Sequence, residues 1–398
     1  MARIEDHAVK NVHTPIIESL KDYGLDPAPL VESLASGELS QQLQTLSSLV
    51  ERRYQGRAGY PTPDVVAAMK PVLDATIRQV VRDGFSGFGI EVSHSAPIHA
   101  GGFSWVVEVT KGGHGYALIV PKFTSGDYRE KVAIRARIGE LFPPSKSCRM
   151  PTAAQVFELP VPAALMTLAK GENCYPLTFD GEGKPHAAEA GRESGVQVFR
   201  TLGEFARAFS SVSGERFGAP LAPQHSSAAD YILPLTGEIE RITLSNSSLA
   251  LEKYGLSLAQ LRRIVDWVKN DCLSQSRSYL YHGDLSPWNL LRDEQSGIWT
   301  IVDGDDARFG VLGEQIGVCL NSMRGNFNRD WIEALLDGYG ETDLARRRET
   351  LLRGAAYGTV TYGLINAGRP WDTANAEMCR DLACSFLAPC ARLFEELI

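Results

Sequence analysis

The alternation of apolar and polar positions divides the chain into stretches of different period. Up to about residue 85 apolar residues recur at helical spacing. The clearest run is Val65, Met69, Val72, Leu73, Ile77, Val80 and Val81. Thr62 is its expected N-cap, with Pro63 at the first helical position, Asp64 in the first turn and Gly84 as the stop. Pro71 lies inside the run and is expected to kink or split it. His13–Tyr23 and Ser40–Tyr54 have the same amphipathic character, separated by the turn-rich Asp26-Pro27-Ala28-Pro29. From Phe85 the period shortens. Phe103–Val109 and Tyr116–Pro121 read as strands of a hairpin around Gly112-Gly113-His114-Gly115. A helix is predicted over Asp127–Leu141, then strands at Gln155–Leu159 and Ala163–Leu168. After Gly171 helical spacing returns at Gly195–Ser213, Leu258–Ser274, Arg329–Tyr339, Leu344–Ile365 and Asn375–Leu397, interrupted by the apolar strand Trp299–Asp303.

These periods predict an α+β chain in three parts: an N-terminal helical extension over residues 1–85, a β-rich lobe over 86–170 and a helical lobe over 171–398. A small β-rich lobe followed by a larger helical one is the order expected where a nucleotide lies in an interlobe cleft. The extension carries no catalytic motif and reads as a packing extension or a dimerisation element rather than a regulatory domain.

Composition narrows the class. The 398 residues are 44% hydrophobic and 22% charged, which suits a globular enzyme rather than a disordered chain. A net charge of -8 argues against a nucleic-acid partner held by its phosphates. Seven scattered cysteines with no CxxC pair give neither a zinc site nor a disulfide framework, so a reducing compartment is expected. Met1-Ala2-Arg3-Ile4-Glu5-Asp6 lacks the apolar block of a signal peptide, and no apolar run is long enough to span a bilayer. A cytoplasmic protein with no membrane partner is the expectation.

The chemistry concentrates in Tyr281-His282-Gly283-Asp284-Leu285-Ser286-Pro287-Trp288-Asn289 and the strand ending Ile301-Val302-Asp303. Asp284, on a His-Gly turn, is placed to orient and deprotonate an attacking hydroxyl. Asn289 offers a neutral oxygen to Mg2+ and Asp303 a charged one, an oxygen set that phosphoryl transfer from a nucleoside triphosphate requires. An aspartate leaving an apolar strand is costly to bury without a cation. His282 reads as a residue that pins the loop rather than an acid or base. Gly101, Gly102 and Ser104 form a turn whose amides could approach phosphates, or an ordinary start to a hairpin. Lys122 follows Ile119-Val120-Pro121 and is placed to reach α- and β-phosphates, held by Glu130 or Glu140, with Glu130 nearer the helix start. It reads equally as a strand-end lysine in solvent. Asp305, Asp306 and Glu314 form either a solvated acidic face or a receptor for ammonium groups of an acceptor. No GxxxxGK[ST] segment occurs, which excludes a P-loop fold.

The motif His282-Gly283-Asp284 with Asn289, then Ile301-Val302-Asp303 with Asp306-Ala307 and Gly310, resembles the aminoglycoside phosphotransferase and choline kinase-like family. Ala206-Arg207-Ala208-Phe209 before Phe217-Gly218 is similar to the helix and turn preceding that family's acceptor region. Met166–Gly171 is similar to its hinge, which implies nucleotide contacts at Thr167 and Leu168. The resemblance implies a bilobal protein-kinase-like fold, ATP or GTP with Mg2+, and transfer of the γ-phosphate to a hydroxyl of a small polar acceptor. An aminoglycoside or another antibiotic is one implied acceptor class, and a sugar, amino alcohol or other metabolite is the alternative. A nucleotide-binding scaffold without turnover is a third reading. The sequence departs from the family at Gly304, where a bulky aromatic is usual, and at Val311-Leu312, where Asp-Pro is common. Gln315 takes the place of a buttressing aspartate, and Ile119 stands where a phosphate-binding base is often found.

Overall fold

A computed structural model describes residues 15–50, 62–100, 104–122, 128–143, 145, 147–173, 177–179, 185–187, 192–245, 255–323, 327–364 and 388–398. The chain forms two compact units, Met1–Ala136 with Thr152–Leu168, and Arg137–Pro151 with Ala169–Ile398.

Helices α1 (15–22), α2 (Ala28–Ser36), α3 (Leu39–Val50) and α4 (Pro63–Phe85) open the first unit. Strands β1 (Ile98–Ala100), β2 (Ser104–Lys111) and β3 (His114–Pro121) follow, then α5 (Tyr128–Leu141). After the short strand β4 (Cys148–Arg149), which belongs to the second unit, come β5 (Ala153–Phe157) and β6 (Ala163–Thr167). The sheet is antiparallel in the order β1-β2-β3-β6-β5. The β2–β3 hairpin turns on Gly112 and Gly113, both at positive φ, as a two-residue turn requires.

Strand alternation sends side chains to two faces. On one face Trp105, Val107, Val109, Leu118, Val120 and Leu165 share a core with Ile16, Leu20, Leu30, Leu43, Leu46, Met69, Leu73, Ile77 and Val80 of the four helices. On the other, Val106, Ala117, Ile119, Ala164 and Met166 pack against Tyr128 and Val132 of α5. The N-terminal helices are therefore a layer of this sheet, sealed further by a bond from Trp105 Nε1 to Ser47 Oγ at 3.0 Å.

Two expectations about α4 fail for physical reasons. Pro71 removes one backbone donor but does not split the helix, because the apolar stripe is buried on both sides of it and one helix spans Pro63 to Phe85. Gly84 does not stop the helix; a Cβ there would stand 2.6 Å from Leu39 Cδ2, so the glycine serves close packing of α3 on α4.

The second unit holds β7 (Glu172–Asn173), a small hairpin of β8 (Leu177–Phe179) and β9 (Pro185–Ala187), α6 (Arg192–Ser210) and β10 (Ser213–Gly214). Helices α7 (Ala228–Ser245) and α8 (Leu258–Leu273) lead to β11 (Ser278–Tyr281), β12 (Leu290–Arg292), β13 (Trp299–Ile301) and β14 (Arg308–Gly310). Helices α9 (Glu314–Ser322), α10 (Arg329–Tyr339) and α11 (Leu344–Tyr357) follow, and α11 widens into a π-helical turn at Gly358–Leu364. Residues 388–397 are helical, while most of the C-terminal helix expected from Asn375 lies outside the described residues. The small sheets are ordered β10-β11-β14 and β4-β13-β12-β7. Among the described residues no helix is long and apolar enough to cross a membrane.

Candidate active site

Strand β11 ends at Tyr281 and delivers its chain into a tightly held loop of the second unit. Gly283 has φ +91°, and a Cβ on it would stand 2.4 Å from the Asp306 carbonyl oxygen, so the turn admits no side chain. His282 is fully buried, with its ring 5.4 Å from that of Phe209. Its backbone N–H donates to Gln315 Oε1 at 2.8 Å, and its Nδ1 accepts from the Asp284 N–H at 3.4 Å. An accepting Nδ1 places the ring proton on Nε2, and the imidazole holds the loop from within, as expected for a pinning residue.

Asp284 is braced by Asn289. The Asn289 Nδ2 donates to Asp284 Oδ2 at 2.9 Å and to the Asp284 carbonyl at 3.0 Å. Asp284 Oδ1 is sealed from solvent and has no hydrogen-bond partner. Burial, and after it the charge of Asp303, pushes this carboxyl up to about 6, against the bonds from Asn289 and Ser286. The protein thus leaves one acceptor atom of a basic carboxylate unmatched, which is the state expected where a donor from outside the chain is to bind.

The two proposed metal residues meet through a ladder. A short 3-10 turn, Pro287–Asn289, brings Asn289 to the start of β12, and the Val302 N–H donates to the Asn289 carbonyl at 2.9 Å. Leu290 pairs with Ile301, so Asn289 and Asp303 flank adjoining rungs. Asn173 on β7 binds the Trp288 carbonyl through its side chain and steadies the same turn. Asp303 is exposed and has φ +67°, a conformation non-glycine residues seldom adopt and one that recurs at functional sites. With Nδ2 of Asn289 engaged on Asp284, its Oδ1 is the atom left for a cation. A carboxylate and a carboxamide oxygen are hard donors of the kind Mg2+ takes, usually with phosphate and water oxygens completing the shell. Among the described residues no group of three or more His, Cys, Asp or Glu side chains could hold a metal by itself.

The departures from the family pattern have structural answers. Gln315 buttresses the loop as an aspartate would, but through a neutral amide, and its Nε2 is buried without a partner. A Cβ at Gly304 would stand 2.4 Å from Met150 Cε and 3.0 Å from Ile138 Cγ2, so these two side chains occupy the space of the usual aromatic. Without the common Asp at 311, the Val311 N–H donates to Glu314 Oε2 at 2.8 Å.

The remaining candidate residues have varied surroundings. Glu314 is 0% exposed, and its Oε1 accepts from Tyr231 Oη at 3.2 Å, so both oxygens serve the fold rather than an acceptor. Asp305 is 7% exposed, which leaves Asp306 as the exposed carboxylate of the three. Lys122 is buried, with Nζ 4.6 Å over the Trp105 ring, on the face of the sheet covered by the N-terminal helices. Glu130 is exposed in the first turn of α5 and Glu140 pairs with Arg137 at 2.7 Å; neither joins Lys122. The Ser104 hydroxyl is engaged with Tyr128 Oη at 3.1 Å. Thr167 Oγ1 accepts from the Thr152 N–H at 2.9 Å, and Leu168 packs on the α5-side core. Gly101 and Gly102 lie outside the described residues. The roles of Trp105 and Ser47 left no local signal, because their partners are distant in the chain, while that of Gln315 was indicated by its place in the family pattern.

A family model, APH, described as "Phosphotransferase enzyme family", matches residues 100–350. A microcompartment-associated aminopropanol kinase superposes with a TM-score of 0.51 at 16% identity, over 80% of this chain and 98% of that one. Macrolide 2'-phosphotransferase type I gives 0.52 at 14% identity, over 77% and 96%. The GDP and kanamycin complex of APH(2")-IIia gives 0.51 at 15% identity, over 80% and 96%. No curated protein matches the sequence. At such identities the likeness is one of fold, the protein-kinase-like α+β fold.

Proposed function

Because the chain belongs to the phosphotransferase enzyme family, we propose that it moves the γ-phosphate of ATP or GTP to a hydroxyl of a small polar acceptor, with Asp284 as the base. The observation that carries this reading is the convergence of Asp284, Asn289 and Asp303, tied by the Asn289–Asp284 bonds and the Asn289–Val302 rung. The acceptor hydroxyl donates to the unmatched Oδ1 of Asp284, which orients the oxygen toward the γ-phosphorus. As the new O–P bond forms and the bond to the β-phosphate oxygen breaks, the hydroxyl proton passes to Asp284 and the nucleoside diphosphate leaves with the electron pair. Asn289 fixes the carboxylate throughout. Magnesium, when held by Asn289 and Asp303, would neutralise charge on the phosphate oxygens.

The acceptor classes worth testing are antibiotics and amino alcohols, since the similar structures include kinases named for both. Burial of Glu314 and Asp305 leaves fewer carboxylates for a polycation than the sequence suggested, so an acceptor with one or few amino groups is favoured. Ile119 in place of a strand base favours a nucleotide-binding protein without turnover, but that reading gives no role to the raised Asp284 carboxyl. The test is acceptor-dependent release of ADP or GDP across a panel of aminoglycosides, macrolides, sugars and amino alcohols. With the acceptor that responds, Asp284→Asn should lower kcat by about 100-fold or more while leaving nucleotide affinity unchanged. An Asp284→Asn protein of near wild-type kcat would remove the residue from this role.

A further inference from the structure

Beside the catalytic loop, and within the second unit, the face shared by β11 and β14 carries a positive charge that the chemistry above does not use. The two strands pair antiparallel with Tyr281 opposite Arg308, so these side chains stand on one face. Arg308 donates from Nη2 to Tyr281 Oη at 3.3 Å, and its Cζ lies 4.9 Å from the centre of the Tyr281 ring. Tyr281 Oη in turn donates to the Gly283 carbonyl at 3.5 Å, and Asp284 is the next residue. Asp306 adjoins the same turn, since a Cβ on Gly283 would stand 2.7 Å from its Cβ.

Arg308 is half-buried, and its surroundings do not match its donors. The bond to Tyr281 is its one hydrogen bond among the described residues, and its Nε is sealed from solvent with no partner. Glu314 attracts it from a distance, but the two oxygens of that carboxylate are engaged on Tyr231 Oη and the Val311 N–H. Among the described residues no carboxylate forms an ion pair with Arg308. A guanidinium keeps its proton, and a partly desolvated one with unmatched donors is poorly stabilised until an anion meets it.

We infer that Arg308 receives a carboxylate of the acceptor, which makes the acceptor a small hydroxylated carboxylate rather than a plain alcohol or amino alcohol. The inference rests on the phosphotransferase reading. Paired N–H donors of a guanidinium match the two oxygens of a carboxylate. An anion seated beside Tyr281 brings the rest of the molecule to Asp284, whose unmatched Oδ1 takes the hydroxyl. A phosphate group suits the place less, because one guanidinium with Asp306 close by would have to meet nearly two negative charges.

The test is release of ADP or GDP with serine, homoserine, threonine and glycerate, each against the alcohol left when hydrogen replaces its carboxylate. Within a pair, the ratio of kcat/KM values measures what the carboxylate contributes. The wild type should favour the carboxylate member about tenfold or more, and Arg308→Gln should remove that preference. Arg308→Lys should keep part of it, with one ammonium in place of paired donors. A residue that only steadied the loop through Tyr281 would slow both members alike; an unchanged ratio in Arg308→Gln therefore overturns the inference. So does a wild type that phosphorylates other acceptors without favouring a carboxylate, phosphorylated sugars included, and in either case the phosphotransferase reading stands. If Arg308→Gln does not fold, as its Tm will show, Arg308→Lys decides by the same ratio: a lowered preference supports the inference and an unchanged one overturns it. A wild type that phosphorylates no acceptor of any class removes the phosphotransferase reading, and this inference with it.

Discussion

Asp284 Oδ1 has no donor of its own while Asn289 holds Oδ2, and this asymmetry defines what the residue can do. An aspartate that ionises near 3.8 when unperturbed is pushed up to about 6, first by burial and then by Asp303. Below the unperturbed value the group is protonated in the folded and unfolded chains alike, and it contributes its full stabilisation. As pH rises through about 6 the folded protein must ionise it in a desolvated place, so stability falls, by roughly 3 kcal/mol in all. Asp284→Asn abolishes that dependence. In metal-free and nucleotide-free buffer its Tm should match the wild type near pH 4 and exceed it at neutral pH; parallel profiles would contradict the shift. The role of this residue was legible because motif and partner lie within one short loop. That of Glu314 was not: an acidic residue in a polar run reads as solvated, and nothing local announces its bond with Tyr231.

The decisive element is α9, a helix whose nine residues are all buried. Its first residue, Glu314, accepts from the Val311 N–H and its second, Gln315, reaches the catalytic loop, so the loop's position is inherited from a buried helix. Glu314→Ala would leave Tyr231 Oη and the Val311 N–H unmatched and take a counter-charge from Arg308. It should cost about 2–4 kcal/mol in denaturant unfolding, with acceptor KM unchanged. A raised acceptor KM at undiminished stability would return Glu314 to the acceptor site. At this scale the periods located the strands and helices well, because burial of one face imposes them. They failed where tertiary contact decides: Gly84 serves an approach of Leu39, and Lys122 takes its side from the strand before it.

For the whole molecule, the family match begins at residue 100, yet the sheet it contains shares its core with helices that precede it. A helical period tells which face is apolar but not what covers it, so the sequence made this layer an appendage. The catalytic loop, by contrast, lies wholly in the second unit, where Asp284, Asn289 and Asp303 are brought together by one loop and one ladder. ATP affinity measured by calorimetry with and without Mg2+ tests that arrangement most directly. The wild type and Asp284→Asn should bind ATP about tenfold or more tightly when Mg2+ is present, and Asp303→Ala should lose that response. An Asp303→Ala protein with the full magnesium response would contradict the account.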